Sequence, residues 1–497
     1  MTIRTCTLRS HVTGWCRAVA CACSLLLLPP FASPVEAQLI PVKTAPVAEA
    51  DQFGFLPLVN LAMGGVSIAL ADTLYDPFNN PATAARLRRG EVFGSPRLYS
   101  LSRNAGDGRT MPVSAFLKFG STFGGIGGAL QEVNPAKPEP TPIFAVADVA
   151  ALGNVSLLTP HGSAHTNQHV LGMLGHSFAA ARLSLASNIV WSKLRAVDGT
   201  EGLYPGNQGV DLHGDVVNLR FGMLKEWDGA RSLEAVLVHN RYGMTHDVTF
   251  QDNFWDPTTR QNKFSTRLDH NAERTHTSGI HVAYTQPFAD SGWRVGALLT
   301  ANRTTQPTAP VLGMMTIGRT PGQSSAYDVG VGVARSHAAS AFGIDAIYEP
   351  IWSHQLQADQ GADESYRFSN VILRTGVSQE FPLAVADSWL RLQAGIQLRS
   401  IQYHLDQSDG GEPPQRFRES WMEWTHSAGA TFRTNDLELR YVWRLQSGTG
   451  RPGMQNNFGG GFCIDFCTLP GLPPRGEVIL VPVRITTQQF SISVPMP

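Results

Sequence analysis

One short run contains residue types that enzymes use as nucleophile and base. Residues 175–179 read GHSFA, which approaches the G-x-S-x-G turn that presents a nucleophilic serine, but alanine replaces the last glycine. That turn also has to join a strand to a helix, whereas this run falls at a turn between two predicted strands. We therefore predict no catalytic residue, and we do not expect the protein to be an enzyme.

Three histidines recur at a spacing that could bind a metal. His161, His165 and His169 are four residues apart, which would stack three imidazoles on one helix face and could hold zinc. The run follows Pro160 and contains glycine, serine, asparagine and glutamine, which disfavour a helix. We predict a solvated loop here, with no metal site, and we expect no cofactor.

Charged residues lie on the polar faces of two alternating stretches, 390–399 and 437–446. They are Arg391, Arg399, Glu438, Arg440 and Arg444. In a channel, arginines could guide an anionic headgroup, because a guanidinium binds carboxylates in a bidentate fork. Alternatively, charges that face a lumen pair with one another and hydrate the interior. We favour pairing, since Glu438 and Arg440 share one strand face.

The N-terminus has the features of an export signal. Arginines precede an apolar run over residues 18–28, and the small residues Val35 and Ala37 offer a cleavage site before Gln38. The run is shorter than the about 20 residues that a membrane-spanning helix needs. We predict that residues 1–37 form a cleaved signal peptide.

Two of the six cysteines fall outside this signal. Cys463 and Cys467 are four residues apart. In an exported chain this spacing favours a disulfide that closes a small loop, because export places the thiols in an oxidising compartment. A metal site would need further ligands, which the neighbouring sequence lacks.

The strongest pattern is strict alternation of apolar and polar residues. In the stretch 437–446, leucine, tyrosine and tryptophan occupy every second position, and charged or amide residues occupy most of the others; the stretch 390–399 repeats the pattern. Alternation with a period of two is typical of a strand that has one face in an apolar medium. Strands of about ten residues are long enough to cross a bilayer when they are tilted.

Sixteen such stretches can be counted between about residues 92 and 494, or fourteen if the glycine-rich pair around 113–130 is not strand. Short connections alternate with long polar ones, such as 244–274, 303–325 and 447–477, as in outer-membrane barrels. The alternative is a secreted β-sandwich or propeller, whose apolar faces would form a dry core. Strand length and loop asymmetry favour an all-β, antiparallel transmembrane barrel of 14–16 strands over residues 89–497, in the outer membrane. A net charge of -1 excludes an obvious nucleic-acid surface.

The segment 38–88 does not have the barrel pattern. It contains a glycine pair, an apolar stretch that ends at an aspartate, and an Asn-Pro-Ala turn before an alanine-rich stub: Gly64, Gly65, Asp72, Asn80, Pro81 and Ala82. In these features the chain resembles the FadL family of outer-membrane transporters for hydrophobic compounds, in which a similar segment forms an N-terminal hatch. The resemblance implies a hatch-plugged barrel for diffusive uptake of hydrophobic small molecules, such as long-chain fatty acids or aromatic hydrocarbons.

The resemblance also leaves a second role open. FadL-like barrels serve as surface anchors or accessories in protein secretion, and their hatches look alike. Either role implies contact with the lipid bilayer and with the outer-membrane assembly machinery; uptake adds a hydrophobic small-molecule ligand, and no nucleic acid is expected. The chain departs from the family in its sixteen candidate strands, where the family has fourteen, and in ending without a terminal aromatic residue.

Overall fold

The structure is a computed structural model, and it describes most of the chain after residue 58. The described residues are 59–70, 79–87, 89–103, 105–134, 164–197, 207–256, 258–288, 291–305, 309–310, 318–319, 323–357, 362–384, 388–408, 414–448, 450–452 and 480–496. Residues 1–37, Asp72, His161, Cys463 and Cys467 lie outside them. The predictions of a signal peptide and a disulfide therefore remain predictions.

Sixteen antiparallel strands form one closed barrel. They are β1a (Glu91–Gly94) with β1b (Arg97–Leu101), β2 (Asp107–Phe119), β3 (Thr122–Asn134), β4 (His165–Phe178), β5 (Leu183–Leu194), β6 (Asn207–Glu226), β7 (Ser232–Asp256), β8 (Gln261–Pro287), β9 (Trp293–Thr305), β10 (Gln323–His337), β11 (Ser340–Gln357), β12 (Ala362–Pro382), β13 (Trp389–Ser408), β14 (Gln415–Arg433), β15 (Glu438–Ser447) and β16 (Ile485–Pro495).

Each strand pairs with its neighbours in sequence, and β16 pairs with both halves of β1 to close the ring. Closure matters because a sheet in lipid cannot leave edge N–H and C=O groups without partners. The first strand is interrupted at Pro96, whose nitrogen has no hydrogen to donate. The predicted barrel is confirmed at sixteen strands, and the glycine-rich pair around 113–130 is the hairpin of β2 and β3.

The hairpins β2–β3, β4–β5, β6–β7, β8–β9, β10–β11, β12–β13 and β14–β15 turn at one end of the barrel, where every connection is short. We call this the short-turn end; in outer-membrane barrels this end faces the periplasm. The predicted loop at 244–274 is wrong, since β7 and β8 pair continuously from Ser232 opposite Thr285 to Asp256 opposite Gln261. Its polar composition misled the prediction because strands that project beyond the membrane no longer need an apolar outer face.

Small elements complete the described chain. Four 3-10 helices span Val59–Met63, Pro81–Arg86, Ala179–Ala181 and Asp228–Ala230, and two short ribbons pair Ala309–Pro310 with Gly318–Arg319 and Gly450–Pro452 with Leu480–Pro482. None of the described helices is long and apolar enough to cross a membrane.

The outer face of the barrel is apolar. Large side chains that are between 40% and 69% exposed occur on strands all round the barrel, among them Val113, Ile126, Leu174, Phe221, Leu237, Val331, Leu373 and Ile492. Soluble proteins rarely expose so much contiguous apolar surface. At the short-turn end, exposed aromatic side chains form a girdle of the kind found at a membrane interface: Phe119, Phe178, Trp227, Phe288 and Phe381. The protein is an outer-membrane β-barrel.

Candidate functional site

The interior of the barrel holds N-terminal residues that run across the inner wall near the short-turn end. Residues 59–70, here called the crossing segment, begin against β15 and end against β9. Leu61 and Ala62 pack on Val442 of β15. Ile68 packs on Ile347 of β11 and Ile372 of β12, with Leu298 of β9 beside them. The segment therefore runs across seven successive strands, from β15 to β9.

A glycine lies under the crossing segment on six of these strands. At each position a Cβ would come closer than 3.0 Å to an atom of the segment: Gly429 of β14, Gly395 of β13, Gly376 of β12, Gly343 of β11, Gly332 of β10 and Gly296 of β9. Several are direct cross-strand partners, such as Gly395 with Gly376 and Gly376 with Gly343. We call this row the glycine track. It lets the main chain of the segment lie flat on the wall.

The segment bends at its own glycine pair. Gly64 and Gly65 have φ angles of 71° and 79°, a region that favours glycine. Gly64 also approaches the wall so closely that a Cβ would stand 2.8 Å from the carbonyl oxygen of Ile396. Its N–H donates to Oγ of Ser427 at 2.9 Å, and that hydroxyl donates to the carbonyl of Ala62 at 3.1 Å.

Two charged side chains of the wall bind the main chain of the crossing segment. Oδ2 of Asp345 accepts from the N–H groups of Ser67 at 2.7 Å and Ile68 at 3.2 Å. Nη1 of Arg374 donates to the carbonyl of Gly65 at 3.4 Å. A carboxylate on two N–H groups and a guanidinium on a carbonyl make charge-assisted bonds, which are stronger than neutral ones.

The Asn-Pro-Ala turn lies against the opposite half of the wall. Asn80 caps the helix Pro81–Arg86, since its Oδ1 accepts from the N–H of Ala82 at 3.1 Å. Its Nδ2 donates to Glu234 of β7 at 3.0 Å. Gly222 of β6 faces it, and a Cβ there would collide with the asparagine side chain. We call residues 79–87 the NPA helix.

Packing and charge hold the NPA helix in place. Its apolar residues contact β1 to β6 in one buried cluster of Ala82, Ala84, Leu87, Phe93, Phe116, Phe123, Met173, Ala186 and Leu224. Arg86 pairs with Glu226 at 2.9 Å and with Glu234 at 3.2 Å. Nζ of Lys118 donates to the carbonyls of Ala85 at 2.7 Å and Leu87 at 2.6 Å, which otherwise have no partner at a helix end.

The charged residues singled out in the sequence lie on β13 and β15 and do not form one group. Arg391 contacts Glu380, with Nε 2.9 Å from Oε1, and Arg399 contacts Glu349. Arg440 contacts Glu438 on its own strand. Arg444 is half-buried four residues further along β15. Arg391, Arg399 and Arg440 thus each contact a carboxylate of the barrel wall.

A wider polar group lies on β10 to β14, next to the crossing segment on its long-loop side. It includes Asp328, Asp345, Glu349, Arg374 and Arg399, which are close enough to interact electrostatically. Asn370 joins the group, since its Nδ2 donates to Glu349 at 2.6 Å. We call this group the charged layer. Sequence reasoning found only Arg399, because the other members are spread over three strands.

Beyond the charged layer, the same strands turn large apolar side chains into the lumen. These residues, here called the aromatic cluster, are Ala326, Ile351, Tyr366, Phe368, Ile401, Tyr403 and Leu405, with Phe417 and Trp421 packed against them. The rings of Phe368 and Tyr403 lie 4.9 Å apart. Sequence reasoning missed the cluster because it expected polar inner faces throughout.

The remaining chemical motifs do not form a site. His165 and His169 lie in β4, so the predicted solvated loop is wrong there; His169 is buried, with Nδ1 2.7 Å from Oγ of Ser192. The described residues contain no group of three or more metal-binding side chains. Ser177 lies at the end of β4, before the 3-10 helix that leads into β5, and its hydroxyl contacts Ser184 at 3.0 Å.

Comparisons with known proteins return solved structures at low sequence identity. No family model matches the chain, and no curated protein sequence matches it. A Pseudomonas aeruginosa FadL homologue is 11% identical over 90% of this chain and 98% of its own, with a TM-score of 0.42. The CymD monoaromatic hydrocarbon channel is 11% identical over 90% and 99%, with a TM-score of 0.35.

A bacterial polysaccharide outer membrane secretin is 6% identical over 82% of this chain and 99% of its own, with a TM-score of 0.40. At such identities these are likenesses of fold alone. The class that the chain's own structure defines is a sixteen-stranded outer-membrane barrel with N-terminal residues folded inside its lumen. The sequence resemblance to the FadL family predicted N-terminal residues in this position.

Proposed function

We propose that the protein carries hydrophobic small molecules across the outer membrane by diffusion, with the crossing segment and the NPA helix acting as its hatch. The observation that carries the proposal is the aromatic cluster, which faces the lumen rather than the lipid. A hydrophobic molecule gains about 25 cal/mol for each Å² of apolar surface that leaves water. An apolar surface on the long-loop side of the hatch therefore supports capture from outside without an energy source.

The order of the layers defines the route of a molecule through the barrel. A molecule that enters from the long-loop end meets the aromatic cluster, then the charged layer, and then the crossing segment. Passage to the periplasm requires the hatch to shift, and the Asp345 and Arg374 bonds to its main chain are the contacts that would break.

Uptake into proteoliposomes tests the proposal with n-decane as the probe. Phe368→Ser removes an aromatic ring of the cluster on β12, and we expect it to lower the initial uptake rate about tenfold, since losing about 55 Å² of apolar contact with the probe costs about 1.4 kcal/mol. The matched control is Phe381→Ser on the outer face of the same strand, which should leave uptake unchanged.

Equal rates for both variants and the wild type would remove the support that the cluster gives to transport. If wild-type protein moves no hydrocarbon but an exported protein co-purifies with it, the accessory role in secretion becomes the better explanation.

A further inference from the structure

The charged layer contains acceptor oxygens that the described protein does not use. Oδ1 of Asp328, Oδ1 of Asp345 and Oδ1 of Asn370 are buried and have no hydrogen-bond partner among the described residues. Asp345 and Asn370 are 0% and 1% exposed. The three side chains project into the lumen from the adjacent strands β10, β11 and β12. Buried polar atoms in native proteins nearly always have a partner, so these oxygens point to a donor from outside the chain.

Both guanidinium groups of the layer already donate hydrogen bonds to the protein. Nε of Arg374 donates to Gln397 at 3.0 Å, and its Nη1 donates to the crossing segment. Nη2 of Arg399 donates to Glu349. Glu423 is buried on β14 directly opposite Arg399 in the ladder. Four carboxylates, those of Asp328, Asp345, Glu349 and Glu423, therefore face two guanidinium groups.

Two of the three acceptors, those of Asp328 and Asn370, border the aromatic cluster directly. Successive inward positions on a strand are two residues apart. The next inward residue towards the long loops is Phe368 after Asn370 on β12 and Ala326 after Asp328 on β10. On β11 it is Ile351 after Glu349. A molecule with one polar end and one apolar end would span this boundary, with its polar end in the layer and its chain on the cluster.

We propose that the barrel binds amphiphiles whose polar end donates hydrogen bonds, and that it prefers a protonated amine over an alcohol and either of these over a carboxylate. An ammonium group supplies three donors and no acceptor, and its charge complements the excess of carboxylates. A carboxylate brings only acceptors and a like charge to the same place. This inference rests on the proposed uptake function and names the class of ligand.

Binding to the full chain in lipid nanodiscs tests the inference. Decylamine, decanol, decanoate and decane share one chain length and differ in the polar end, and each is made to compete with a fluorescent alkyl probe, with empty nanodiscs subtracted. We expect decylamine to bind at least about tenfold more tightly than decanoate, the effect of one charge-assisted hydrogen bond, with decanol between them.

Two substitutions at one position separate charge from hydrogen bonding. Asp328→Asn keeps an acceptor oxygen and removes the charge, so decylamine should bind about tenfold more weakly while decanol changes little. Asp328→Leu removes the acceptor as well, and decanol binding should then fall too. The control is Asp406→Asn on the exposed outer part of β13, which should change neither.

The outcomes distinguish this inference from the proposed function. If decane and decanoate bind as tightly as decylamine, the preference for donors is wrong and uptake of hydrophobic molecules stands. If none of the four binds, both fail together.

Discussion

Asp345 links the barrel wall to the crossing segment through main-chain atoms. Its carboxylate accepts from Ser67 and Ile68, so the bond depends on the backbone path of the segment and not on its side chains. Asp345 is fully buried, which removes competition from water and strengthens each bond. The residue therefore holds the crossing segment against β11, and under the proposed function it would act as a latch for the hatch.

Asp345→Leu should loosen this latch. Each lost bond to a charged acceptor is worth about 1.5–3 kcal/mol, so the fraction of open hatch should rise at least about tenfold. The measurement is the frequency of potassium chloride conductance steps in planar bilayers. Asp345→Asn keeps an acceptor oxygen but loses the charge, and its conductance should fall between those of the wild type and the leucine variant. A leucine variant with wild-type conductance would show that the latch does not hold the hatch.

Part of this residue-level arrangement is visible in the sequence. The glycine pair and the Asn-Pro-Ala turn can be recognised in the sequence because their conformations restrict which residues can occur there. Both lie in the lumen. The wall residues that bind the crossing segment cannot be recognised in this way, since Asp345 is separated from Ser67 by 278 positions. The sequence around a single aspartate on a strand face does not predict what that aspartate will bind.

At the scale of the strands, the glycine track explains why an irregular segment can lie against a barrel wall. Each glycine removes a side chain at the point where the segment crosses, and cross-strand pairing aligns Gly395, Gly376 and Gly343 in one row. The glycine track determines where along the barrel axis the crossing segment can lie. The neighbouring inward positions on β13 carry side chains, Gln393 and Gln397, that would block it.

Gly395→Ala should displace the crossing segment, because its Cβ would collide with the main chain at Met63 and Gly64. We expect small-solute conductance to rise while the barrel stays folded, since alanine is tolerated in a strand and the clash lies on the inner side. Conductance and heat-dependent migration in SDS gels are measured on the same sample. The control is Gly209→Ala on β6, where a Cβ meets nothing within 4 Å. Equal conductance for the two variants would contradict a role for the track.

The strands also show where sequence patterning succeeds and where it fails. Alternation predicted the lipid-facing residues of β13 correctly, as Leu392 and Ile396 are 46% and 38% exposed. Further along the same strand the pattern inverts, and Ile401 and Tyr403 turn inward. The inversion marks the level at which the outer face leaves lipid and the inner face becomes apolar. The sequence analysis assumed that the apolar residues face outward along the whole strand, and so it missed the aromatic cluster.

At the scale of the whole molecule, the two N-terminal segments contact different parts of the barrel wall. The crossing segment contacts β9 to β15, and the NPA helix contacts β1 to β7. Both lie near the short-turn end, so contacts on opposite walls place them at similar heights in one lumen. A sixteen-stranded barrel is wide enough to leave an aqueous channel unless something fills it.

Deleting Asn60 to Ala85 tests whether these segments close the channel. The barrel should survive, because its ladder of strands closes without them, and retained resistance to SDS before heating is the check on folding. Conductance of small polar solutes in planar bilayers should rise by an order of magnitude or so, as a wide barrel loses its filling. Selective uptake of decane should be lost, because the remaining pore lets water and polar solutes pass freely. If the deleted barrel is folded and its conductance equals that of the wild type, the segments are not a hatch, and passage would have to be controlled from the long-loop end.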